Sequence, residues 1–208
     1  MKTLEEVKKL FENKSYLIRS EFINDYDFED DYFEYYHHFL LNVKSIRDKF
    51  YLSDLIDLTG WLNIYDLNIR KRYYELLFQK SNYLVKLAVL DYFKYCEKNL
   101  LPKGYVKDLN LLYSHRQPEI LRSQILFNLI ICKQEIDSLY IECLSNLIEK
   151  TKDWKILHRL LSNLNEIRLN KKVHEIICGN LVKKADTFAF EGRTRELLKS
   201  ICIDSNRN

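Results

Sequence analysis

The chain has 208 residues and a formal net charge of +3; 47% of its residues are hydrophobic and 30% are charged. This balance excludes intrinsic disorder, and the length is sufficient for a substantial core. Gly (4 residues) and Pro (2 residues) are scarce, which leaves little material for the tight turns of hairpins and barrels. The composition therefore predicts an all-α protein.

The N-terminal region predicts several short helices. Thr3 and Glu6 have the spacing of a capping box, in which the Thr3 hydroxyl accepts from the backbone of Glu6 and the Glu6 carboxylate reaches back. A first helix over Leu4–Phe11 follows. Three more helices are expected after it: one that begins after Ser15, one over 31–41 and one over 45–58. Gly60 then stands where a helix C-cap favours a positive φ.

From Asp66 onward the pattern predicts four helix pairs with short connections, as is usual between packed helices. The expected helices are 66–78 with 82–97, 105–113 with 119–132, 135–149 with 153–164, and 170–184 with 194–202. Pro118 is expected at the first position of its helix, where a missing N–H costs nothing. Asp153 is expected to be an N-cap.

An apolar pattern recurs about every 36 residues in the second helix of each pair. The positions in register are Val85, Val89, Leu90 and Phe93; then Leu121, Ile125, Leu126 and Leu129; then Ile156, Leu160, Leu161 and Leu164. Leu197, Leu198 and Ile201 repeat three of these places. A repeat of this length is typical of stacked helix pairs, each of which buries its apolar face against the next.

In the first two repeats the leading aliphatic residue is followed by a base, Lys86 or Arg122. This pattern resembles the HEAT-repeat family, whose second helix carries a Val-Arg-x-x-Ala-like sequence, over about residues 66–202 and at the level of architecture. The residue at the helix crossing is larger than the family's, Leu157 stands where the third base should be, and the regular first-helix proline is missing.

The resemblance implies a HEAT-like α-solenoid of about four helix pairs, with the second helices lining a concave surface. Residues 1–208 would form a single all-helical domain, with an N-terminal helical cap over 1–62 and the helix pairs over 63–208. The alternative is an irregular helical bundle whose similar segments reflect amphipathicity alone.

The charge is unevenly distributed. Residues 21–43 contain seven acidic residues and no Lys or Arg, a net −7, so the remainder of the chain carries +10. Aromatic residues are interleaved with these acids. Acidic and aromatic side chains together suit a surface that docks onto a basic protein. The candidate partner-binding residues are Asp25, Tyr26, Asp27, Glu29, Asp30, Asp31, Tyr32, Glu34 and Tyr35. Alternatively, the aromatic residues are core and the acids form a solvated helix face.

Catalytic and metal-binding patterns are weak. A single Glu34-x-x-His37 lacks the second such motif that di-iron bundles use, and no phosphate loop or nucleophile elbow is present. The C-terminal bases are expected on solvated helix faces, with a phosphate-contacting groove as the alternative. We therefore expect no metal, no cofactor and no catalytic residues.

No run of 18 apolar residues is present, and the charged N-terminus lacks a signal-peptide core, so we expect a cytoplasmic protein without a membrane span. Five cysteines stand singly in apolar stretches, and buried free thiols explain them best. They are Cys96, Cys132, Cys143, Cys178 and Cys202.

The sequence favours a non-enzymatic module that binds a basic protein partner, most specifically an immunity protein that neutralises a bacterial nuclease toxin. An acidic aromatic surface can occupy a basic nucleic-acid cleft, and opposite charges speed the encounter. The alternative is a DNA glycosylase of the kind built from HEAT-like repeats, or another nucleic-acid-binding protein. Its candidate groove residues would be Trp61, Asp91, Arg122, Asp153, Trp154 and Arg159.

Overall fold

The computed structural model describes residues 3–13, 15, 17–18, 21, 48–79, 82–114, 116–136 and 138–203. All regular secondary structure in these residues is helical. The helices are α1 (Leu4–Phe11), α2 (Lys49–Trp61), α3 (Leu67–Phe78), α4 (Tyr83–Lys94), α5 (Tyr105–Leu112), α6 (Glu119–Lys133), α7 (Leu139–Lys150), α8 (Trp154–Glu166), α9 (Lys171–Ala185) and α10 (Gly192–Leu198). No helix among the described residues is long and apolar enough to cross a membrane.

The chain divides into two compact units, Met1–Lys103 and Gly104–Asn208. In the first unit, α4 packs against both α2 and α3. Gly60 lies in the last turn of α2, and a Cβ built there would stand 3.8 Å from the Tyr92 Cα of α4. The expectation that Gly60 is a C-cap with positive φ is therefore wrong, because the helix continues to Trp61 and the left-handed residue is Asn63, with φ of 53°.

The second unit contains three successive helix pairs: α5 with α6, α7 with α8, and α9 with α10. The second helices contact one another in the order α6, α8, α10, and the first helices α7 and α9 are also in contact. A π-helical turn over Lys199–Ile203 continues α10 and packs against α9. The second unit is thus built from neighbouring helix pairs, which is compatible with a helical repeat.

Local sequence signals fix most helix starts. The Thr3 N–H donates to Glu6 Oε2 at 2.8 Å and the Glu6 N–H donates to Thr3 Oγ1 at 3.3 Å, so the capping box is confirmed. Asp153 caps α8 by accepting from the Lys155 N–H at 2.9 Å. Pro118 is itself the N-cap residue of α6, one position earlier than expected. The residue at which α1 and α8 each begin is set by the side chain that caps the helix.

The 36-residue pattern marks the core. All twelve of its residues in the second helices α4, α6 and α8 are buried, with at most 5% of any of them exposed. In the fourth pair Leu198 and Ile201 are buried as well, whereas Leu197 is partly buried. Within the second unit, one contiguous core formed by α6 to α10 contains Leu126 of α6, all four pattern residues of α8, and Leu198 and Ile201. The apolar faces of the helices in the second unit are therefore buried against one another.

Side-chain hydrogen bonds also link residues about one repeat apart in the second unit. Three of the bonds between side chains join residues separated by 35 or 36 positions: Arg159 with Gln124, Asn180 with Ser145, and His158 with Thr194. A separation of one repeat means that equivalent places on successive pairs face each other. The apolar periodicity of the sequence thus has a polar counterpart in the tertiary structure.

Candidate functional site

We call residues 21–43, with their seven acids and interleaved aromatic side chains, the acidic segment. Apart from Glu21, it lies outside the residues that the structure describes. This applies to every candidate partner-binding residue: Asp25, Tyr26, Asp27, Glu29, Asp30, Asp31, Tyr32, Glu34 and Tyr35. Their expected role therefore stays a prediction from charge and composition. Glu34 and His37, the weak metal motif, lie in the same segment.

A partly exposed group of aromatic and cationic side chains occurs at the start of α8. Trp154, the first residue of the helix, has 55% of its side chain exposed, and its ring meets the His158 ring edge-on at a centroid distance of 6.2 Å. These positions are one helical turn apart, so both rings lie on one face of α8. We call Trp154, Lys155, His158 and Arg159 the α8 surface.

Hydrogen bonds to the neighbouring pairs hold two members of the α8 surface in place. His158 Nδ1 lies 2.9 Å from the hydroxyl oxygen of Thr194, a buried residue of α10. On the other side, Arg159 Nε donates to Gln124 Oε1 of α6 at 2.8 Å. Because both contacts restrict rotamers, the cation and the imidazole are positioned before any ligand arrives, which lowers the entropy cost of binding.

Gln124 is the centre of a buried polar network. Its Oε1 accepts from Arg159 and also from Asn163 Nδ2 at 2.9 Å, and its own Nε2 donates to Asn128 Oδ1 at 3.0 Å. Asn128 in turn donates to the Tyr105 hydroxyl at 3.0 Å. Gln124, Asn128 and Asn163 are each at most 2% exposed. Buried polar groups need such partners, so this network fixes how α5, α6 and α8 meet.

Four of the six candidate residues for a glycosylase-like groove lie in the second unit, and the other two lie in the first unit. Asp153 precedes α8, Trp154 and Arg159 lie in its first two turns, and Arg122 is half-buried on α6 of the same unit. Asp153 is engaged as the helix cap. A carboxylate used in this way stabilises the helix end and is poorly placed to act as a base.

Trp61 and Asp91 belong to the first unit. Trp61 ends α2 and is 57% exposed. Asp91 lies on α4 with its carboxylate 3.7 Å from Lys94 Nζ, and the Lys94 side chain is nearly buried. The Lys94 ammonium also stands 4.6 Å from the centre of the Tyr95 ring. This pair has the geometry of a structural ion contact along one helix.

A polar cleft of about 400 Å³ lies between the first helices α7 and α9. Asn180 Nδ2 donates to Ser145 Oγ at 2.7 Å at its wall, and Lys184 Nζ donates to the Glu149 carbonyl oxygen at 2.7 Å. The cleft lies beside the C-terminal ends of both helices, where the helix dipole favours cations. Lys184 already supplies that cation, so its ammonium group balances the negative ends of the helix dipoles at this wall.

The first unit contains a cluster of buried tyrosines whose hydroxyls are held neutral. The Tyr92 hydroxyl donates to the Ile64 carbonyl at 2.8 Å, and the Tyr73 ring lies edge-on to the Tyr92 ring at 4.9 Å. Burial raises the pKa of Tyr65 to about 12 and also raises the pKa values of Tyr73 and Tyr92. A hydroxyl with such a raised pKa stays protonated near neutral pH, so it is a poor general base there.

Sequence reasoning missed Gln124, His158 and Thr194 as linked residues. The signal that could have identified them is the same 36-residue offset, applied to polar positions: Thr194 lies 36 residues after His158, and Arg159 lies 35 after Gln124. Apolar periodicity does not mark these polar positions, because it defines only the core face of a helix.

Among the residues that the structure describes, no group of three or more His, Cys, Asp or Glu side chains is arranged to hold a metal ion. Comparison with known proteins gives no match: no protein-family model fits the chain, and no curated protein or solved structure is detectably similar to it.

Proposed function

We propose that this protein is a non-enzymatic, cytoplasmic protein-binding module with a HEAT-like helical stack. More specifically, we propose an immunity protein that neutralises a bacterial nuclease toxin by occupying its basic cleft. The observation that carries the proposal is the charge asymmetry of residues 21–43, which contain seven acidic residues and no Lys or Arg.

The electrostatic reasoning is direct. Seven carboxylates without a compensating base on the same segment repel one another, and a basic partner would relieve that repulsion. A nuclease must present a positive surface to bind phosphates. Complementary charges raise the association rate, which suits a protein that must capture a toxin before it acts. The interleaved aromatic residues would supply the apolar anchors on which tight interfaces depend.

The described helix pairs support a binding role through their construction. Neighbouring pairs contact each other in order, and hydrogen bonds about one repeat apart tie them together. Proteins made in this way offer extended surfaces to protein partners. The α8 surface, with Trp154 exposed and Arg159 held by Gln124, is the described part of the chain that we propose as a second contact region.

The first experiment is an affinity pull-down of the tagged protein from its native lysate after nuclease treatment, read by mass spectrometry. We expect one stoichiometric basic partner. Nuclease activity in that partner, inhibited by adding this protein, would support the immunity function. If no protein is recovered while an untreated control retains nucleic acid, the proposal is wrong and the glycosylase-like alternative takes its place.

A charge-matched pair of variants then tests the binding region. The first variant neutralises four acids of the segment: Asp27→Asn, Glu29→Gln, Asp30→Asn and Asp31→Asn. The control makes the same charge change at four exposed acids elsewhere: Glu97→Gln, Glu142→Gln, Glu149→Gln and Glu196→Gln. We expect the first variant to lower the association rate by about 10- to 1000-fold at low salt and the control to change it little. Equal effects would contradict the assignment to this segment.

Substitutions in the α8 surface distinguish the immunity function from the nucleic-acid-binding alternative. The variant with Trp154→Ala and Arg159→Gln should weaken inhibition of the partner without abolishing it, because the acidic residues of 21–43 remain as the main contact. If the chain instead binds duplex DNA, with an affinity that falls steeply with salt, and this variant abolishes that binding, the surface is a nucleic-acid site.

A further inference from the structure

Two cysteines meet at the C-terminal end of the second unit. Cys178 lies in the middle of α9, and Cys202 lies in the π-helical turn that continues α10. The two side chains are 1% and 2% exposed. Because α9 packs against the π-helical turn, residues that are 24 positions apart in sequence face each other. The contact joins the π-helical turn to α9.

The chemical surroundings of the two thiols differ. The two thiols are close enough to interact through a hydrogen bond, and the ring nitrogens of His174, one helical turn before Cys178, lie 3.8 Å from its sulfur. The hydrogen bond from Cys202 lowers the pKa of Cys178, although burial acts in the opposite direction. The same hydrogen bond, with burial, raises the pKa of Cys202. Cys178 is therefore the sulfur that loses its proton first, with a second thiol beside it.

We propose that Cys178 and Cys202 are a redox modification site at which a peroxide forms a reversible disulfide. The disulfide would fasten the π-helical turn to α9. This inference rests on the contact between the two buried thiols and their His174 neighbour, and it is independent of the proposed partner-binding function.

The reaction balances with hydrogen peroxide as the oxidant. Cys178 gives up its proton, its sulfur attacks one peroxide oxygen, the O–O bond breaks, and the departing hydroxide takes a proton to become water. The product is a sulfenic acid at Cys178. The Cys202 sulfur then attacks that sulfur, the S–O bond breaks, and the departing hydroxide takes the Cys202 proton as a second water. Two thiols and one peroxide thus give one disulfide and two waters.

Access to the buried thiols comes through the π-helical turn. A cleft of about 950 Å³ lies against the same turn, and Phe190, Leu198 and Ile203 are among the residues that line it. Ile203, next to Cys202, is 38% exposed. Local openings of a folded protein cost less free energy than global unfolding, and peroxide is small. A brief opening of the turn therefore admits the oxidant.

The other three cysteines serve as internal controls. Cys96 lies in the first unit, and burial raises its pKa to about 12, which suppresses its thiolate at neutral pH. Cys132 lies in the last turn of α6 and Cys143 lies on α7. Both are half-buried. A site-specific reaction must spare these three thiols and consume the Cys178–Cys202 pair.

The test treats the full-length protein with hydrogen peroxide at neutral pH, blocks the remaining thiols under denaturing conditions and maps the tryptic peptides. We expect the number of thiols to fall from five to three, with a mass loss of about 2 Da. Cleavage after Lys and Arg places the two sulfurs in the peptides 173–183 and 200–207, so the linked pair has a unique mass. Dithiothreitol should restore all five thiols.

Single variants complete the test. Cys178→Ala and Cys202→Ala should give no linked peptide, whereas the matched control Cys143→Ala should give as much as the unaltered protein. Circular dichroism checks that each variant is folded, and the peptide map of the unaltered protein decides the question even where a variant is not. The inference is overturned if peroxide leaves both thiols unlinked, oxidises them only to sulfinic acids, or joins either one to a different cysteine.

Discussion

Replacing Gln124 with Met tests whether the buried polar network holds the helix pairs together. Met has a similar length and fills the same space, but it can neither accept from Arg159 and Asn163 nor donate to Asn128. Asn163 and Asn128 are each 2% exposed, so water cannot readily replace the lost partner. Arg159 is half-exposed and can turn toward solvent.

The magnitude follows from those two buried amides. Each buried polar group that loses its partner costs about 1–3 kcal/mol. Two of them give about 2–6 kcal/mol, less a small gain because Met is the more apolar side chain. The total stability of a domain is about 5–15 kcal/mol, so this single change would remove a large share of it.

The assay is urea unfolding monitored by circular dichroism at 222 nm. We expect the urea concentration at the midpoint to fall while the slope of the unfolding free energy against urea stays constant. Ser123→Ala is the matched control, because Ser123 is equally buried but its hydroxyl donates only within its own helix, to the Ile120 carbonyl at 2.8 Å. It should cost about 1 kcal/mol or less. If Gln124→Met lies within about 1 kcal/mol of the unaltered protein, the network does not hold the pairs together and the reasoning fails.

Three further predictions concern local features. Gly179→Ala should stabilise the protein by about 0.5–1 kcal/mol in urea unfolding, since a Cβ there meets nothing within 4 Å inside α9; Gly192→Ala, at φ of +49°, should destabilise it, and equal effects would contradict the conformational argument. Thr59→Val should cost about 1–3 kcal/mol in the same assay, because it removes the partner 2.7 Å from the buried Tyr73 hydroxyl, and pairing it with Tyr73→Phe should cost less than the sum. Burial raises the pKa of Tyr65 to about 12, so the folded state keeps a proton that the unfolded state loses near pH 10; the free energy of unfolding should fall as pH rises from about 10 to about 12, less steeply in Tyr65→Phe.

Among the described residues, local sequence signals located the helices to within a few positions and identified much of the core. The caps Thr3, Asp66 and Asp153 act within three residues of themselves, so their role does not depend on the rest of the fold. The twelve apolar residues of the 36-residue pattern are buried because one face of each second helix must leave water. Gly60 shows the limit, since a glycine near a helix end is equally compatible with a cap and with a close helix crossing.

The sequence by itself determined that this protein is all-helical, where most helices begin, and which of their faces are buried, since these depend on neighbouring residues and on the removal of apolar surface from water. The tertiary structure alone decided that Gln124 meets Arg159, that His158 meets Thr194, and that Cys178 meets Cys202. The physical reason is that a hydrogen bond requires two atoms within about 3 Å, or somewhat more for sulfur, at a restricted angle. Periodicity brings equivalent helices together, but the rotation and rise of one helix against the next set which polar side chains lie within that distance.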